Sequence, residues 1–358
     1  MFEGVPAAAG GAQAQLTYPY TPRLPFGPPA SGGHPLKPLS AAAGGAQASQ
    51  GGLSRLFRIH AAARTGAFRS PYDPGRCEAP AISLRGVSYS YDKGSFIEGL
   101  DLDIPRGCVT SIVGPNGCGK STLLKLMDGL LVPREGDVLI DGKPGLAMGK
   151  KERARHLSLL VQAAKVPAMS VEALVACGRY PYQSHLHQAT RRDKEHVDEA
   201  MRLVGVDRFR HHDVRFLSGG ERQRVFIAMT LAQDTGIIAL DEPTTYLDVH
   251  ACHEIMQLVC RLNHEAHKTI LMVIHDLDLA LRYSDHMVVM EKGRCICTGG
   301  VDEVFESGAL TQAFQMEVCR TISESDSLGT GGGKEGCKGS SASGRIAYTL
   351  FPLQGKDD

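Results

Sequence analysis

The segment Gly114-Pro115-Asn116-Gly117-Cys118-Gly119-Lys120-Ser121 constrains this chain more than any other. It follows an apolar run, Val109-Thr110-Ser111-Ile112-Val113, that reads as a strand, and it leads at once into Thr122-Leu123-Leu124-Lys125-Leu126-Met127, a helical pattern. Strand, glycine loop and helix in that order make an anion cradle within an α/β fold. Gly114, Gly117 and Gly119 let backbone N–H groups curl around phosphate oxygens, and the helix N-terminus adds partial positive charge. Lys120 reaches the terminal phosphates of a nucleotide, and the Ser121 hydroxyl is a ligand for Mg2+. Asn116 and Thr122 complete the nucleotide-binding set expected from this loop.

Two further segments belong to the same chemistry. Ile237-Ile238-Ala239-Leu240 reads as a buried strand tipped by Asp241-Glu242. Acid at the end of a buried strand needs a reason: Asp241 can support a Mg2+ shell, and Glu242 can polarise a water that attacks a γ-phosphate. Leu217-Ser218-Gly219-Gly220-Glu221-Arg222-Gln223-Arg224 precedes Val225 to Ala232, which reads as an amphipathic helix. A serine and two glycines at a helix start offer a capping hydroxyl and bare backbone donors, a second phosphate cradle. With two cradles but one lysine and one Mg2+ site, two copies facing head to tail is the economical arrangement.

In this order the segments resemble the ATP-binding cassette family. The resemblance covers residues 82 to 315 or so and implies a P-loop, RecA-like core with an antiparallel β subdomain and an α-helical subdomain. It implies further residues one by one. Gln162 in Leu159-Leu160-Val161-Gln162 looks like the glutamine that senses Mg2+ and the membrane partner, and His275 in Val273-Ile274-His275-Asp276 looks like the histidine on the γ-phosphate. Asp248 looks like the aspartate of the inter-subunit loop. Either Tyr89 or Tyr91 could stack on adenine; Tyr91 is favoured because it directly precedes the turn Asp92-Lys93-Gly94. Glu221 stands where the family more often has Gln, a departure expected to leave the Ser-Gly-Gly cradle intact. The implied catalytic set is Glu242, His275 and Lys120; the implied metal set is Ser121, Gln162 and Asp241; the cofactors are ATP and Mg2+.

Within the expected helical subdomain, about residues 163–217, Gly178-Arg179-Tyr180-Pro181-Tyr182 looks like a segment of cassettes that import iron chelates, haem or cobalamin. The resemblance therefore implies an ATPase whose partners are integral-membrane permease subunits, a second copy of itself and, indirectly, a substrate-binding protein, at the cytoplasmic face of the membrane. An exporter subunit, a subunit for another cargo and a soluble, non-transport cassette stay open as alternatives.

Composition bounds this reading. The 358 residues carry 39 Lys and Arg against 39 Asp and Glu, so nothing global argues for nucleic acid as a partner. No apolar run reaches the roughly eighteen residues of a membrane-spanning helix. The ten cysteines are scattered, Cys295-x-Cys297 is too close for zinc-ribbon spacing, and reduced thiols are expected. Residues 1–78 are Ala/Gly/Pro-rich and repeat Ala7 to Ala14 as Ala41 to Ala48, which reads as disordered. Through residue 70 one acid, Glu3, stands against six basic residues; a transit peptide, a lipid contact and a functionless extension are all compatible with that. The cassette is expected over 79–320, followed by a Ser/Gly-rich tail over 321–358 with Arg345 to Leu353 as a candidate last strand.

Overall fold

In the computed structural model, which describes residues 79–91, 96–162, 166–183, 189–323 and 345–352, the apolar run before the glycine loop is strand β3 (Val109–Val113), buried along its whole length. The readings of residues 1–78, of the turn at Asp92-Lys93-Gly94 and of residues 324–344 lie outside the described residues. The antiparallel sheet consists of β1 (Ile82–Tyr89), β2 (Ile97–Ile104), β4 (Glu135–Ile140) and β5 (Lys143–Pro144), in the order β2-β1-β4-β5. The central sheet adds β6 (Leu157–Leu160), β7 (Ile237–Asp241), β8 (Thr269–Val273), β9 (His286–Glu291) and β10 (Arg294–Gly300), in the order β10-β9-β3-β8-β7-β6. All its pairings are parallel except β9 with β10.

Alternation explains why these strands are apolar throughout. Ile270 and Met272 of β8 enter one hydrophobic core, while Leu271 and Val273 enter the other. Likewise Ile238 and Leu240 of β7 face the first core, and Ile237 and Ala239 the second. A sheet covered on both faces needs hydrophobic residues at both parities of each strand. On one side lie α1 (Lys120–Asp128) and the inner face of the antiparallel sheet, with Leu123, Met127, Ile82, Ile104 and Ile140 fully buried.

On the other side lie α3 (Val171–Cys177), α4 (Arg191–Val204), α5 (Gly219–Ala232) and α6 (Val249–Ala266), with α2 (Lys150–His156) leading into β6. Ser170 caps α3, and Thr190 with Asp193 forms a reciprocal capping box on α4. The expectation of an amphipathic α5 is corrected: Val225, Phe226, Ile227, Ala228, Thr230, Leu231 and Ala232 are all buried. α3, α4, α6 and β6 all pack around this helix, so it has no wet face beyond its first turns.

After α7 (Leu277–Tyr283), α8 (Val301–Glu306) and α9 (Ala309–Phe314), the chain closes with a hairpin of β11 (Met316–Ser323) and β12 (Arg345–Pro352). Its first strand runs through residue 321, where the tail was expected to begin. Tyr348 is buried 5.8 Å from the Phe305 ring, seating the hairpin on the core. Among the described residues no helix is long and apolar enough to cross a membrane, and the cysteines are free.

His286 opens β9 opposite Thr110 of β3 and is 5% exposed. Burial pushes its imidazole down to about 4, against a smaller opposing pull from Glu303. The unfolded chain binds a proton at this group below 6.5 and the folded chain does not until about 4. Stability is therefore full above 6.5 and falls by up to about 1.4 kcal/mol per pH unit down to about 4. Urea midpoints at pH 7.5 and pH 5 are expected to differ, with His286→Gln flattening the difference; equal slopes in both proteins would remove His286 as the cause.

Candidate nucleotide site

The C-terminal ends of β3, β7 and β8 are neighbours in the central sheet, and the candidate residues sit on the turns leaving them. This is the edge where parallel sheets hold ligands. After β3, Gly114 has φ 153°, and a Cβ there would meet the Met290 carbonyl oxygen at 2.2 Å. Gly119, with φ 110°, closes the loop as the N-cap of α1. Both positions require glycine, and together they bring the backbone round to Lys120 and Ser121. Lys120 is buried, its Nζ donating to the carbonyls of Gly114 at 2.8 Å and Pro115 at 2.9 Å, which holds the ammonium within the loop. Asn116 and Gly117 are exposed, with Gly117 at φ 77°.

Ser121 and Asp241 come together although they are 120 residues apart: Ser121 Oγ donates to Asp241 Oδ1 at 2.9 Å. Asp241 is 6% exposed, and burial pushes its carboxyl up, the Ser121 hydrogen bond pulling the other way. A hydroxyl and one carboxylate at hydrogen-bond distance form an all-oxygen donor pair that suits a hard cation completed by phosphate and water. These residues therefore fit Mg2+. Gln162 does not join that pair: its Nε2 donates to Glu242 Oε2 at 3.0 Å. Gln162 thus stands beside the Ser121–Asp241 pair, on the neighbouring carboxylate.

Glu242 is the convergence point. It has φ 54°, a left-handed backbone unusual outside glycine, and its N–H donates to the Val273 carbonyl at 3.1 Å. Its carboxylate receives Gln162, the Thr245 hydroxyl at 3.0 Å, and the His275 ring through Nε2. Residues from three separate turns thereby meet on one carboxylate. Thr245 was not among the expected site residues; its nearness to Glu242 in sequence was the available signal.

Tyr91 is 57% exposed and lies edge-on to Tyr89 and Phe96, while its hydroxyl is 2.9 Å from that of Thr122 on α1. Tyr89, by contrast, packs against the core. Of the two tyrosines, only Tyr91 presents an open ring beside the loop helix.

The second cradle is also built. Ser218 is the N-cap of α5 and accepts from Glu221 N, with Gly219 and Gly220 on the first turn. Asp248 caps α6 by accepting from Ala251 N at 2.8 Å. Between these two helix starts lies a cleft of about 550 Å3 lined by Ser218, Gly219, Gly220, Asp248 and their neighbours. Glu221 leaves this helix start in place but contacts it: its Oε2 takes both the Ser218 hydroxyl, at 2.8 Å, and the Ser218 N–H, at 3.1 Å.

Comparison with known proteins agrees with this geometry. Residues 97–245 match the family model described as ABC transporter. The chain is 43% identical over 238 residues to the petrobactin import ATP-binding protein FpuD of Bacillus anthracis, covering 66% of this chain and 87% of that protein. It is 39% identical over 244 residues to the ferric enterobactin transport ATP-binding protein FepC of Escherichia coli K12, covering 67% and 90%. Among solved structures, cbiO1 from Clostridium perfringens, described as part of an ABC transporter complex, superposes with a TM-score of 0.58 at 31% identity over 66% of this chain and 94% of that one. With an anion loop on β3, a Ser121–Asp241 pair and a carboxylate braced from three turns, this chain belongs to the ATP-binding cassette transporter family and is an ATP-hydrolysing cassette of it.

Proposed function

We propose that the chain is the ATP-hydrolysing subunit of a membrane importer for an iron–siderophore complex or a related metal chelate. The observation that carries the catalytic half is the convergence of Gln162, Thr245 and His275 on Glu242, next to the Ser121–Asp241 pair. The cargo half rests on relatives whose names include petrobactin, ferric enterobactin and iron(3+)-hydroxamate import.

In this reading Gly114, Asn116, Gly117 and Gly119 present backbone donors to the phosphates, with Thr122 beside them on α1. Lys120 exchanges its two loop carbonyls for phosphate oxygens, and Tyr91 stacks on adenine. Ser121 and Asp241, with Gln162 beside them, would hold Mg2+, which neutralises charge on the β- and γ-phosphates when bound. Glu242 accepts the proton of the attacking water, and His275, hydrogen-bonded to the same carboxylate, braces the γ-phosphate. Gln162, on the turn after β6, lets a membrane partner feel the state of Glu242. A second copy faces the first head to tail and supplies Ser218, Gly219, Gly220 and Asp248; dimeric cassettes are known among the structural neighbours. Binding closes the pair and hydrolysis opens it, so the permease alternates its access. A substrate-binding protein acts indirectly through the permease, nucleic acid has no part, and the cassette works at the cytoplasmic face as a peripheral subunit. Residues 79–320 form the cassette, residues 1–78 an extension and residues 321–358 a tail.

The test is a pull-down from membranes of tagged Glu242→Gln protein with ATP, followed by mass spectrometry. A multi-span permease is expected to co-purify. Recovery of ribosomes or of soluble partners alone would replace the importer with a non-transport cassette.

A further inference from the structure

The second cradle contains an internal competitor for its ligand. The Ser218 hydroxyl has one proton, and it is committed to Glu221 Oε2 at 2.8 Å. The Ser218 N–H goes to the same oxygen. Any phosphate reaching this helix start must therefore take the hydroxyl proton away from a carboxylate, and must do so against that carboxylate's charge.

The remaining charges around the cleft show which cation can assist. Arg224 is ion-paired with Glu254, and His250 Nδ1 lies 3.7 Å from the same carboxylate. Asp248 is occupied with the start of α6. Arg208 is different: its side chain is 69% exposed, its guanidinium rests over the Phe209 ring, and its carboxylate contact is Glu221 Oε1 at 3.7 Å, too long for a hydrogen bond. It is the loosely held cation of the cleft, and it faces the carboxylate that covers Ser218.

We infer that Glu221 and Arg208 form an electrostatic gate on the second phosphate cradle. Glu221 covers the Ser218 hydroxyl until the terminal phosphate of a nucleotide on the facing copy displaces it, and Arg208 then shifts from Glu221 to that phosphate. This rests on the head-to-tail reading above and adds two residues whose role is to set how much ATP the pair needs in order to close. A glutamine at 221 would act otherwise. Its amide oxygen can still accept from Ser218 N–H, while its NH2 can donate to Ser218 Oγ, freeing the hydroxyl proton for phosphate and removing the negative charge.

The experiment follows ATP-driven dimerisation in a Glu242→Gln background by analytical ultracentrifugation across an ATP titration. Adding Glu221→Gln is expected to lower the ATP concentration for half-dimerisation by about tenfold, as removal of a charge next to a phosphate should. Adding Arg208→Ala to the Glu242→Gln background alone is expected to raise it by a similar factor. Raising the salt concentration should shrink both shifts. ATP binding to dilute monomer should stay the same in all variants, which a merely structural role for either residue would not guarantee. Glu221→Gln keeps the capping box, so its unfolding midpoint should match the parent's. Half-dimerisation unchanged by Glu221→Gln in a parent that does dimerise overturns the gate and leaves the head-to-tail reading standing. A parent that does not dimerise with ATP overturns both.

Discussion

Glu242→Gln is expected to cut steady-state ATP hydrolysis by at least about a hundredfold, the usual worth of a positioned base. The geometry gives the reason. Glu242 is acceptor-only when ionised, and its oxygens collect donors from Gln162, Thr245 and His275. A glutamine of the same shape keeps one acceptor and turns the other position into a donor that faces a donor. Proton acceptance is lost, and with it the brace on one side, either to His275 or to Gln162 and Thr245. Nucleotide affinity should persist within about threefold, because the loop carbonyls, Lys120 and the Ser121–Asp241 pair do not touch residue 242. Phosphate release and equilibrium ATP binding, measured on the same preparation, separate the two effects. A variant that hydrolyses ATP at the parent rate removes Glu242 from the role of base.

How much of this site could be read in advance depended on whether a residue's partner is local. Strand, loop and helix around Gly114 to Ser121 were legible because each signal is contained in a few residues, and so was the acid at the end of β7. The Ser121–Asp241 pair was expected as a pair of metal ligands, but not as a direct hydrogen bond. The hydrogen bond from Gln162 to Glu242 was not legible, since a turn's direction after β6 is not encoded in Leu159-Leu160-Val161-Gln162. The character of α5 was misread for a similar reason: whether a helix has a wet face is decided by how many others surround it. The contact of Glu221 with Ser218 had a local signal, the capping-box pattern Ser218-x-x-Glu221.

Arg179 makes the same point with larger energies. Its segment resembles one found in chelate-importing cassettes, but nothing in Gly178 to Tyr182 names the partners of the side chain, which is 3% exposed and lies between α4 and α5. Its Nε donates to Asp193 at 2.9 Å near the start of α4, its Nη1 to the Ala232 carbonyl at 2.7 Å at the end of α5, and its guanidinium lies 4.0 Å from the Tyr182 ring centroid. Gly178 beside it has no room for a Cβ, which would fall 2.1 Å from the Met229 carbonyl oxygen. Burial alone would push the Asp193 carboxyl up, but hydrogen bonds from Thr190 and Arg179 outweigh it and hold the group below its ordinary range. That stabilisation is present above pH 3.8, the unfolded value, and is lost as pH falls through the lower folded one. Arg179→Leu leaves Asp193 buried without its partner, and a loss of about 3–5 kcal/mol in unfolding free energy is expected. Arg179→Lys should recover little of it, because one ammonium cannot reach Asp193 and the Ala232 carbonyl while stacking on Tyr182. Combining Arg179→Leu with Asp193→Leu should restore the part of the loss that comes from the unpaired charge, less the cost of the α4 capping box that goes with Asp193. Urea unfolding of the four proteins decides it: a single-variant loss below about 1 kcal/mol would mean that the pair contributes no more than a surface bridge. Because α5 carries Ser218 at one end and the Arg179 anchor at the other, loosening the anchor should also weaken ATP-driven dimerisation at temperatures where the fold survives.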